Sequence, residues 1–232
     1  MWVSKMDSIY LFCGGSKNYI DGKSKPLQKF GSDRELVLTH YHHIKKYYDK
    51  VTYIVEEDEV DFFTEALISI SNDINIFIAK KETTTLQKLH EVINTIDEEY
   101  ASFSYPDIFC SPDFWQVSKD KDFTITRISI SSRFPRIYSD IFNDTVKGIS
   151  NYQSPVPANP HYIFGGKFDF NVKELKSFIL NFDIENNNLE VDFLDDLALK
   201  KNIHAKTVFE EWFNIDSDRD YVNMMNCYGY SS

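Results

Sequence analysis

A glycine pair followed by a lysine and a proline is the first feature of this sequence that could do chemistry. Gly14 and Gly15 come directly after a short apolar run, and Lys25-Pro26 follow a polar stretch that contains Lys17. Glycines after a buried strand let backbone N–H groups approach phosphate oxygens, because no Cβ is in the way. Nearby lysines neutralise phosphate charge, and Pro26 fixes the backbone beyond the loop. An ordinary strand-to-helix turn is the alternative, and the Lys25-Pro26 pair favours a phosphate-binding loop.

A carboxylate follows another strand-like stretch, within residues 104–108. Asp107 is therefore predicted at the carboxyl end of a strand, where open α/β sheets carry their binding sites. A hard divalent cation is typically held there by one or two carboxylates together with phosphate oxygens and water. A plain Pro-Asp turn is the alternative interpretation of Asp107 taken by itself.

The pattern of apolar residues alternates between strand and helix types through the first half of the chain. Short buried runs that predict strands are separated by stretches whose apolar residues recur on one helical face. This order is typical of parallel crossovers in an α/β sheet. The predicted strands lie at 9–13, 51–55, 74–79 and 105–110, and the predicted helices at 35–48, 60–70 and 86–96.

The second half of the chain has a less regular pattern. It contains no internal repeat and no low-complexity tract, so we predict one continuous domain over residues 1–232. Ser217 is the predicted N-cap of the final helix. The predicted elements are strands at 123–132, 161–164 and 205–209, a Pro- and Asn-rich loop at 151–160, and helices at 172–180, 190–200 and 217–225.

Composition limits the classes of partner. A net charge of −11 over 232 residues argues against a surface for nucleic acid, which needs a basic face. A metal ion and a few lysines can still offset the negative charge of a nucleotide's phosphates.

The three cysteines have no zinc-binding spacing, which predicts reduced thiols. With no run long enough for a membrane span and no apolar signal at residues 1–7, we expect a cytoplasmic protein. Oligomerisation is compatible with the sequence.

The first segment resembles the start of the sugar-1-phosphate nucleotidyltransferases, most closely the glucose-1-phosphate cytidylyltransferase type. That family has a strand, Gly-Gly-x-Gly-Thr-Arg, a variable gap, Lys-Pro, a short turn and a helix. The resemblance implies a single-domain, Rossmann-like, three-layer α/β/α fold with a mixed, mostly parallel sheet. The matching residues are Gly14-Gly15, Lys25-Pro26 and Gly31 in the turn, whereas Lys17, Asn18 and Tyr19 stand where the family has Gly-Thr-Arg.

The resemblance also implies a Mg²⁺ site and assigns residues to it. The family has a metal-binding aspartate at two points, which Asp107 and Asp216 match. A favourable charge at a helix N-terminus explains Asp216 poorly, because it precedes the predicted cap. The half at about 8–110 would bind the nucleotide and the half at about 111–228 the acceptor. The other residues implied are Lys25, Lys17 and Lys23 for catalysis, Cys13, Gly14, Gly15, Ser16, Thr84 and Thr85 for the nucleotide, and Lys167, Gly166, Glu190 and Asp192 for the acceptor.

Simpler interpretations compete for two of these assignments. The threonines near Thr84 stand in front of a predicted helix, and Thr is a common helix cap. Lys167 as a lone lysine is equally well explained as a solvated side chain.

The activity implied is nucleotidyl transfer. A nucleoside triphosphate, with CTP favoured, and a small phosphate monoester such as a sugar phosphate would give an NDP-linked product and pyrophosphate, for surface-polysaccharide synthesis. Two alternatives stay open. Because Tyr19 stands where the family has arginine, the protein could bind a nucleotide without turnover. A nucleotide-sugar-dependent glycosyltransferase uses a similar sheet and an Asp-x-Asp metal site, a pattern that occurs late in this chain at Asp216 and Asp218.

Overall fold

The computed structural model describes residues 6–13, 23–30, 34–68, 70, 74–128, 136–139, 145–150, 162–209 and 211–228. The chain divides into two compact units, each built from separate stretches of sequence. The prediction of one continuous domain stays a prediction. Unit 1 comprises Met1–Thr83, Ser104–Gln116 and Glu211–Ser232, and unit 2 comprises Thr84–Phe103 and Val117–Glu210.

Strands and helices alternate along the described residues. The strands are β1 (Met6–Phe12), β2 (Tyr48–Glu56), β3 (Ile74–Ala79), β4 (Tyr100–Ser104), β5 (Ile108–Cys110), β6 (Phe123–Ile128), β7 (Arg136–Ser139), β8 (Val146–Ser150), β9 (Ile163–Asn171), β10 (His204–Val208) and β11 (Trp212–Asn214). The α-helices are α1 (Leu36–Ile44), α2 (Val60–Leu67), α3 (Thr85–Ile93), α4 (Pro112–Trp115), α5 (Val172–Ile179), α6 (Leu194–Lys200) and α7 (Asp218–Tyr228).

The described residues also form three short helical turns. Lys25–Leu27 and Glu57–Glu59 are 3₁₀ turns, and Leu189–Phe193 is a π-helical turn that leads directly into α6. Among the described residues, no helix is both long enough and apolar enough to cross a lipid bilayer.

Unit 1 contains three parallel strands hydrogen-bonded in the order β1, β2 and β3. Phe12 pairs with Ile54 in the first ladder, and Glu56 pairs with Ala79 in the second. The carboxyl ends of these strands therefore lie at one edge, and the segments that follow them start there. This arrangement confirms the parallel crossovers predicted for the first half.

Unit 2 contains strands in the order β10, β6, β9 and β4. β10 is parallel to β6, whereas β6 is antiparallel to β9. The combination of parallel and antiparallel pairs confirms the predicted mixed, mostly parallel α/β fold.

The sequence pattern missed or shortened several strands. The stretch predicted as one strand at 105–110 is only β5, because the chain turns at Pro106 and Asp107. β4, β7, β8 and β11 were not predicted. β9 continues past two glycines where a short strand was expected. It pairs with β6 on both sides of a β-bulge, because Phe164 lies opposite Arg127 and Phe168 opposite Ile125, and the glycines lie within that bulge.

Buried histidines pack beside β5. His43 on α1 donates its Nε2–H to the carbonyl of Cys110 (2.8 Å), and Trp115 Nε1 donates to the same oxygen (3.1 Å). His40 meets the ring of Phe109 edge-on. Burial, opposed in part by the hydrogen bond to Cys110, lowers the pKa of His43 to about 4, and burial places the pKa of His40 well below its usual value. Both rings are neutral in the folded chain at pH 7.

These neutral histidines make stability depend on pH. The free energy of unfolding should fall as the pH drops from 6.5 towards 4, because the unfolded chain takes up protons there and the folded chain does not. Between pH 7 and pH 5, the free energy of unfolding should fall by about 2 kcal/mol less in His43→Gln than in the wild type, as measured by urea unfolding. His42→Gln, at the exposed neighbouring position, should remove less. Equal pH dependence in the wild type and His43→Gln would show that His43 does not carry this effect.

Candidate functional site

The antiparallel pair β5–β11 brings two predicted metal ligands to the same place. Asp107 immediately precedes β5, and Asp216 follows β11 by two residues. Asn214 pairs with Ile108 at this end of the ladder, and the amide of Ile215 donates to the carbonyl of Asp107 (2.9 Å). Because the two strands run in opposite directions, the start of β5 and the end of β11 are neighbours.

Lys25 joins the two carboxylates. Its Nζ donates to Asp107 Oδ2 (2.6 Å) and to Asp216 Oδ1 (2.5 Å). The three side chains are partly accessible, with exposed fractions of 28% for Lys25, 17% for Asp107 and 35% for Asp216. Although burial alone would lower the pKa of Lys25, Asp107 and Asp216 raise it above its usual value. The lysine is therefore fully protonated at pH 7.

The carboxylate pair fits a divalent cation. One nitrogen lies within 2.6 Å of an oxygen from each aspartate, so both side chains can reach a single cation. Asp107 Oδ1 is buried and has no hydrogen-bond partner among the described residues. No group of three or more His, Cys, Asp and Glu side chains suited to a metal occurs in the described ranges. Mg²⁺ commonly takes one or two carboxylates and completes its shell with phosphate oxygens and water.

The segment around Asp216 is held by its own hydrogen bonds. Asn214 Nδ2 donates to Asp216 Oδ2 (2.8 Å), and the backbone amide of Asp216 donates to Asp220 Oδ2 (3.3 Å). Ser217 Oγ accepts from the amide of Asp220 (3.3 Å), which confirms Ser217 as the cap of α7. Asp220 thus belongs to the cap, whereas Asp216 points its other oxygen at Lys25.

An apolar cluster anchors the backbone that carries both aspartates. Phe109 in β5 and Ile215 beside Asp216 are fully buried in it, together with Leu36 of α1 and Met224 of α7. The polar ends of β5 and β11 are therefore attached to a packed core, which limits their movement.

Most of the predicted glycine loop lies outside the described residues. Gly14, Gly15, Ser16 and Lys17 are in that part of the chain, and so is Tyr19. Cys13 is buried at the end of β1, where its amide donates to the carbonyl of Ile54 (2.9 Å). Lys23 is exposed, with its Nζ 5.1 Å from the centre of the Phe62 ring. The nucleotide and catalytic roles of these residues stay predictions.

In unit 2, the predicted nucleotide contacts Thr84 and Thr85 stand at the start of α3. Thr84 caps the helix, accepting from the amide of Gln87 (3.2 Å), while its own amide donates to the Gln87 side chain (2.8 Å). The helix-cap interpretation therefore accounts for Thr84. Glu190 and Asp192 lie in the π-helical turn, where Asp192 Oδ2 accepts from the amide of Asn188 (2.9 Å).

Lys167 is fully buried in β9, so the solvated side chain proposed as the simpler interpretation is wrong. Its Nζ donates to both oxygens of Asp169, each at 2.6 Å, and Ser102 Oγ donates to Asp169 Oδ1 (2.5 Å). Gly166, just before it, has a positive φ of 81°. Burial lowers the pKa of Lys167, and Asp169 opposes that shift. The acceptor-binding roles of Lys167 and Gly166 stay predictions.

Sequence reasoning missed a set of buried carboxylates at the carboxyl end of β2. Glu59 Oε1 accepts from the amide of Ser24 (2.7 Å), and Glu56 Oε2 accepts from the amide of Glu82 (3.2 Å). An acidic run such as 56–59 usually forms a solvated surface, but its position after a buried parallel strand was a signal for a site.

No known protein-family model matches the chain, and no curated protein sequence matches it. Solved structures match nearly its whole length. The inositol-1-phosphate CTP transferase from T. maritima superposes with a TM-score of 0.81 at 15% identity, over 99% of each chain. A UDP-glucose pyrophosphorylase complexed with UDP-glucose gives a TM-score of 0.72 at 12% identity, over 97% of this chain and 98% of its own. The chain has the fold of the sugar-phosphate nucleotidyltransferases.

A further structure with this fold is HddC from Yersinia pseudotuberculosis. It superposes with a TM-score of 0.74 at 17% identity, over 96% of this chain and 100% of its own. HddC has also been solved in complex with GMP-PN. At these identities the likeness establishes the fold, and the Asp107–Lys25–Asp216 cluster is the feature of this chain from which chemistry can be argued.

Lys25 neutralises the two carboxylates, so removing its charge should increase their response to Mg²⁺. In Lys25→Met we expect Mg²⁺ to raise the melting temperature more than in the wild type, because the ion binds the folded carboxylate pair and not the unfolded chain. Each kcal/mol of stabilisation corresponds to roughly 2–4 °C for a chain of this size. Thermal unfolding with MgCl₂ and with NaCl of equal ionic strength measures the effect.

Lys29→Met is the matched control for this prediction. It removes the same charge from the same segment, but Lys29 is exposed and its partner is Glu35, at 3.8 Å. If Mg²⁺ stabilises Lys25→Met no more than Lys29→Met, the carboxylate pair does not bind the ion.

Proposed function

We propose that this protein is a nucleotidyltransferase that joins a nucleoside triphosphate to a small phosphate monoester and releases pyrophosphate. The observation that carries the proposal is the cluster in which Asp107 and Asp216 share the ammonium group of Lys25. A pair of carboxylates with a protonated lysine is suited to binding a divalent cation and phosphate groups together. The fold supports the same conclusion.

The reaction is an in-line displacement at phosphorus. An oxygen of the phosphate monoester forms a bond to the α-phosphorus, and the bond from that phosphorus to the bridging oxygen of the β-phosphate breaks. Pyrophosphate carries away the electron pair, and no covalent intermediate with the protein is needed. The protein therefore contributes positioning and neutralisation of negative charge.

Asp107 and Asp216 are the residues that would hold Mg²⁺. When bound, the ion neutralises phosphate charge and favours the displacement. Oδ1 of Asp107 is suited to this role, since it is buried and has no hydrogen-bond partner in the part of the chain that the structure describes. Lys25 would move its ammonium group to the α-phosphate, which its long side chain allows, and Lys17 and Lys23 would add positive charge nearby.

CTP is the favoured nucleotide. The likeness of the first segment to the cytidylyltransferases supports this choice, as does the high TM-score of the inositol-1-phosphate CTP transferase. Backbone groups from Cys13 to Ser16 would contact the base and ribose. A cytoplasmic location, a sugar phosphate or similar metabolite as acceptor, and a place in surface-polysaccharide synthesis complete the proposal.

Removing one carboxylate should remove activity. In a mixture of CTP, Mg²⁺ and a panel of phosphate monoesters, Asp107→Asn should lower the rate of pyrophosphate release by roughly 10²–10³-fold, because an acceptor for the cation loses its charge. Asp113→Asn, an exposed aspartate on α4 in the same unit, is the matched control and should keep wild-type turnover. Wild-type turnover by Asp107→Asn would refute the assignment of Asp107 as a metal ligand.

A second experiment separates transfer from binding without turnover. We expect the wild type to release pyrophosphate fastest with CTP when CTP, UTP, GTP and ATP are compared against the same acceptors. Activity that appears only in Tyr19→Arg would instead support the non-catalytic alternative. Release of a free nucleoside diphosphate from nucleotide-sugar donors, without pyrophosphate release from any triphosphate, would support the glycosyltransferase alternative.

A further inference from the structure

Glu59 is a buried carboxylate in unit 1 that the reaction described above does not use. It is the last residue of the 3₁₀ turn after β2, and 3% of its surface is exposed. Its Oε1 accepts a hydrogen bond from the backbone amide of Ser24 at 2.7 Å, across 35 residues of sequence. Ser24 is the residue immediately before Lys25.

The hydrogen bond acts at the point where the chain enters the turn that carries Lys25. Ser24 is extended, with φ −62° and ψ 157°, and its own side chain makes no cap bond to the turn. The amides of Leu27 and Gln28 bond back within the turn, and Pro26 has no N–H. Glu59 therefore fixes the first end of the turn, while the amide of Leu36 fixes the other end by donating to the carbonyl of Gln28 (2.9 Å).

Burying the carboxylate of Glu59 does not by itself favour the stability of the folded chain. Burial raises the pKa of Glu59, the contact with Ser24 opposes this shift, and Glu56 and Asp58 add to it. Glu59 Oε2 and Ser24 Oγ are both buried and have no hydrogen-bond partner in the described part of the chain. A neutral side chain would avoid the burial of a charge, so the contribution of this carboxylate lies in what it holds in place.

We propose that Glu59 is a positioning residue, which holds the backbone of Ser24 so that the ammonium group of Lys25 stands between Asp107 and Asp216. Without this bond the turn is released at its first end, and Lys25 spends less time on the carboxylates. The consequence for turnover rests on the proposed nucleotidyltransferase function, whereas the placement of Lys25 does not.

The placement can be tested without activity. Acetylation by an N-hydroxysuccinimide ester measures how accessible each lysine side chain is. Lys29 serves as an internal reference, because it is exposed and lies in the same peptide as Lys25. The ratio of Lys25 to Lys29 labelling, measured by mass spectrometry on folded protein, should be low in the wild type. It should rise several-fold in Glu59→Ala, stay low in Glu59→Gln, which keeps an acceptor oxygen, and stay low in Glu57→Ala, an exposed acid in the same turn.

A second pair of variants removes the donor instead of the acceptor. Ser24→Pro deletes the amide hydrogen at a φ that proline adopts, and Ser24→Ala keeps it while removing the hydroxyl. The labelling ratio should rise in Ser24→Pro and not in Ser24→Ala. Because Ser24→Pro leaves Glu59 in place, it decides the question even if Glu59→Ala does not fold. A ratio equal to the wild type in folded Ser24→Pro, or in folded Glu59→Ala, overturns the proposal.

Activity gives an independent readout. If the wild type releases pyrophosphate, Glu59→Ala and Ser24→Pro should lower kcat by roughly tenfold to a hundredfold and change the KM for the triphosphate less. The reason is that a misplaced lysine reduces the stabilisation of the transition state more than it reduces the affinity for the substrate. Glu59→Gln and Ser24→Ala should each have a kcat close to that of the wild type. An inactive wild type would refute the proposed function, and the labelling ratios would still decide the role of Glu59.

Discussion

The site depends on the attraction between one ammonium group and two carboxylates. Asp107 and Asp216 lie close enough to share Lys25 Nζ, and they would repel each other without a cation between them. Lys25 lies 82 residues from Asp107 and 191 residues from Asp216 in sequence. The fold of unit 1 therefore brings three distant segments together around a position that favours positive charge.

The backbone around this position is held by a strand ladder and an apolar cluster. β5 and β11 form a short ladder, Ile215 extends it by donating to Asp107, and Phe109 places the ladder in an apolar cluster. The carboxylates and the lysine remain partly accessible, so a phosphate group can approach them. The cluster thus combines a packed backbone with charged side chains that solvent can reach.

Unit 2 contains a charged pair that is closed to solvent, in contrast to the accessible cluster of unit 1. Lys167 and Asp169 are completely buried in one strand, and Ser102 adds a hydrogen bond to the same carboxylate. Their charges neutralise each other inside the unit, where neither group reaches solvent. The cluster around Lys25 is thus partly accessible to solvent, whereas the ion pair of Lys167 and Asp169 is fully buried.

The resemblance to a known family pointed to Lys25, Asp107 and Asp216 as a candidate site. The sequence by itself determined the order of strands and helices in the first half and the capping role of Ser217. Those features are local, since periodicity, turn residues and caps are encoded within a few positions. The tertiary structure alone decided that the three side chains meet, that β11 pairs with β5, that Lys167 is buried and that Glu59 turns inward to Ser24. Each of these depends on contacts between residues far apart in the chain, and no local pattern specifies the register of such contacts.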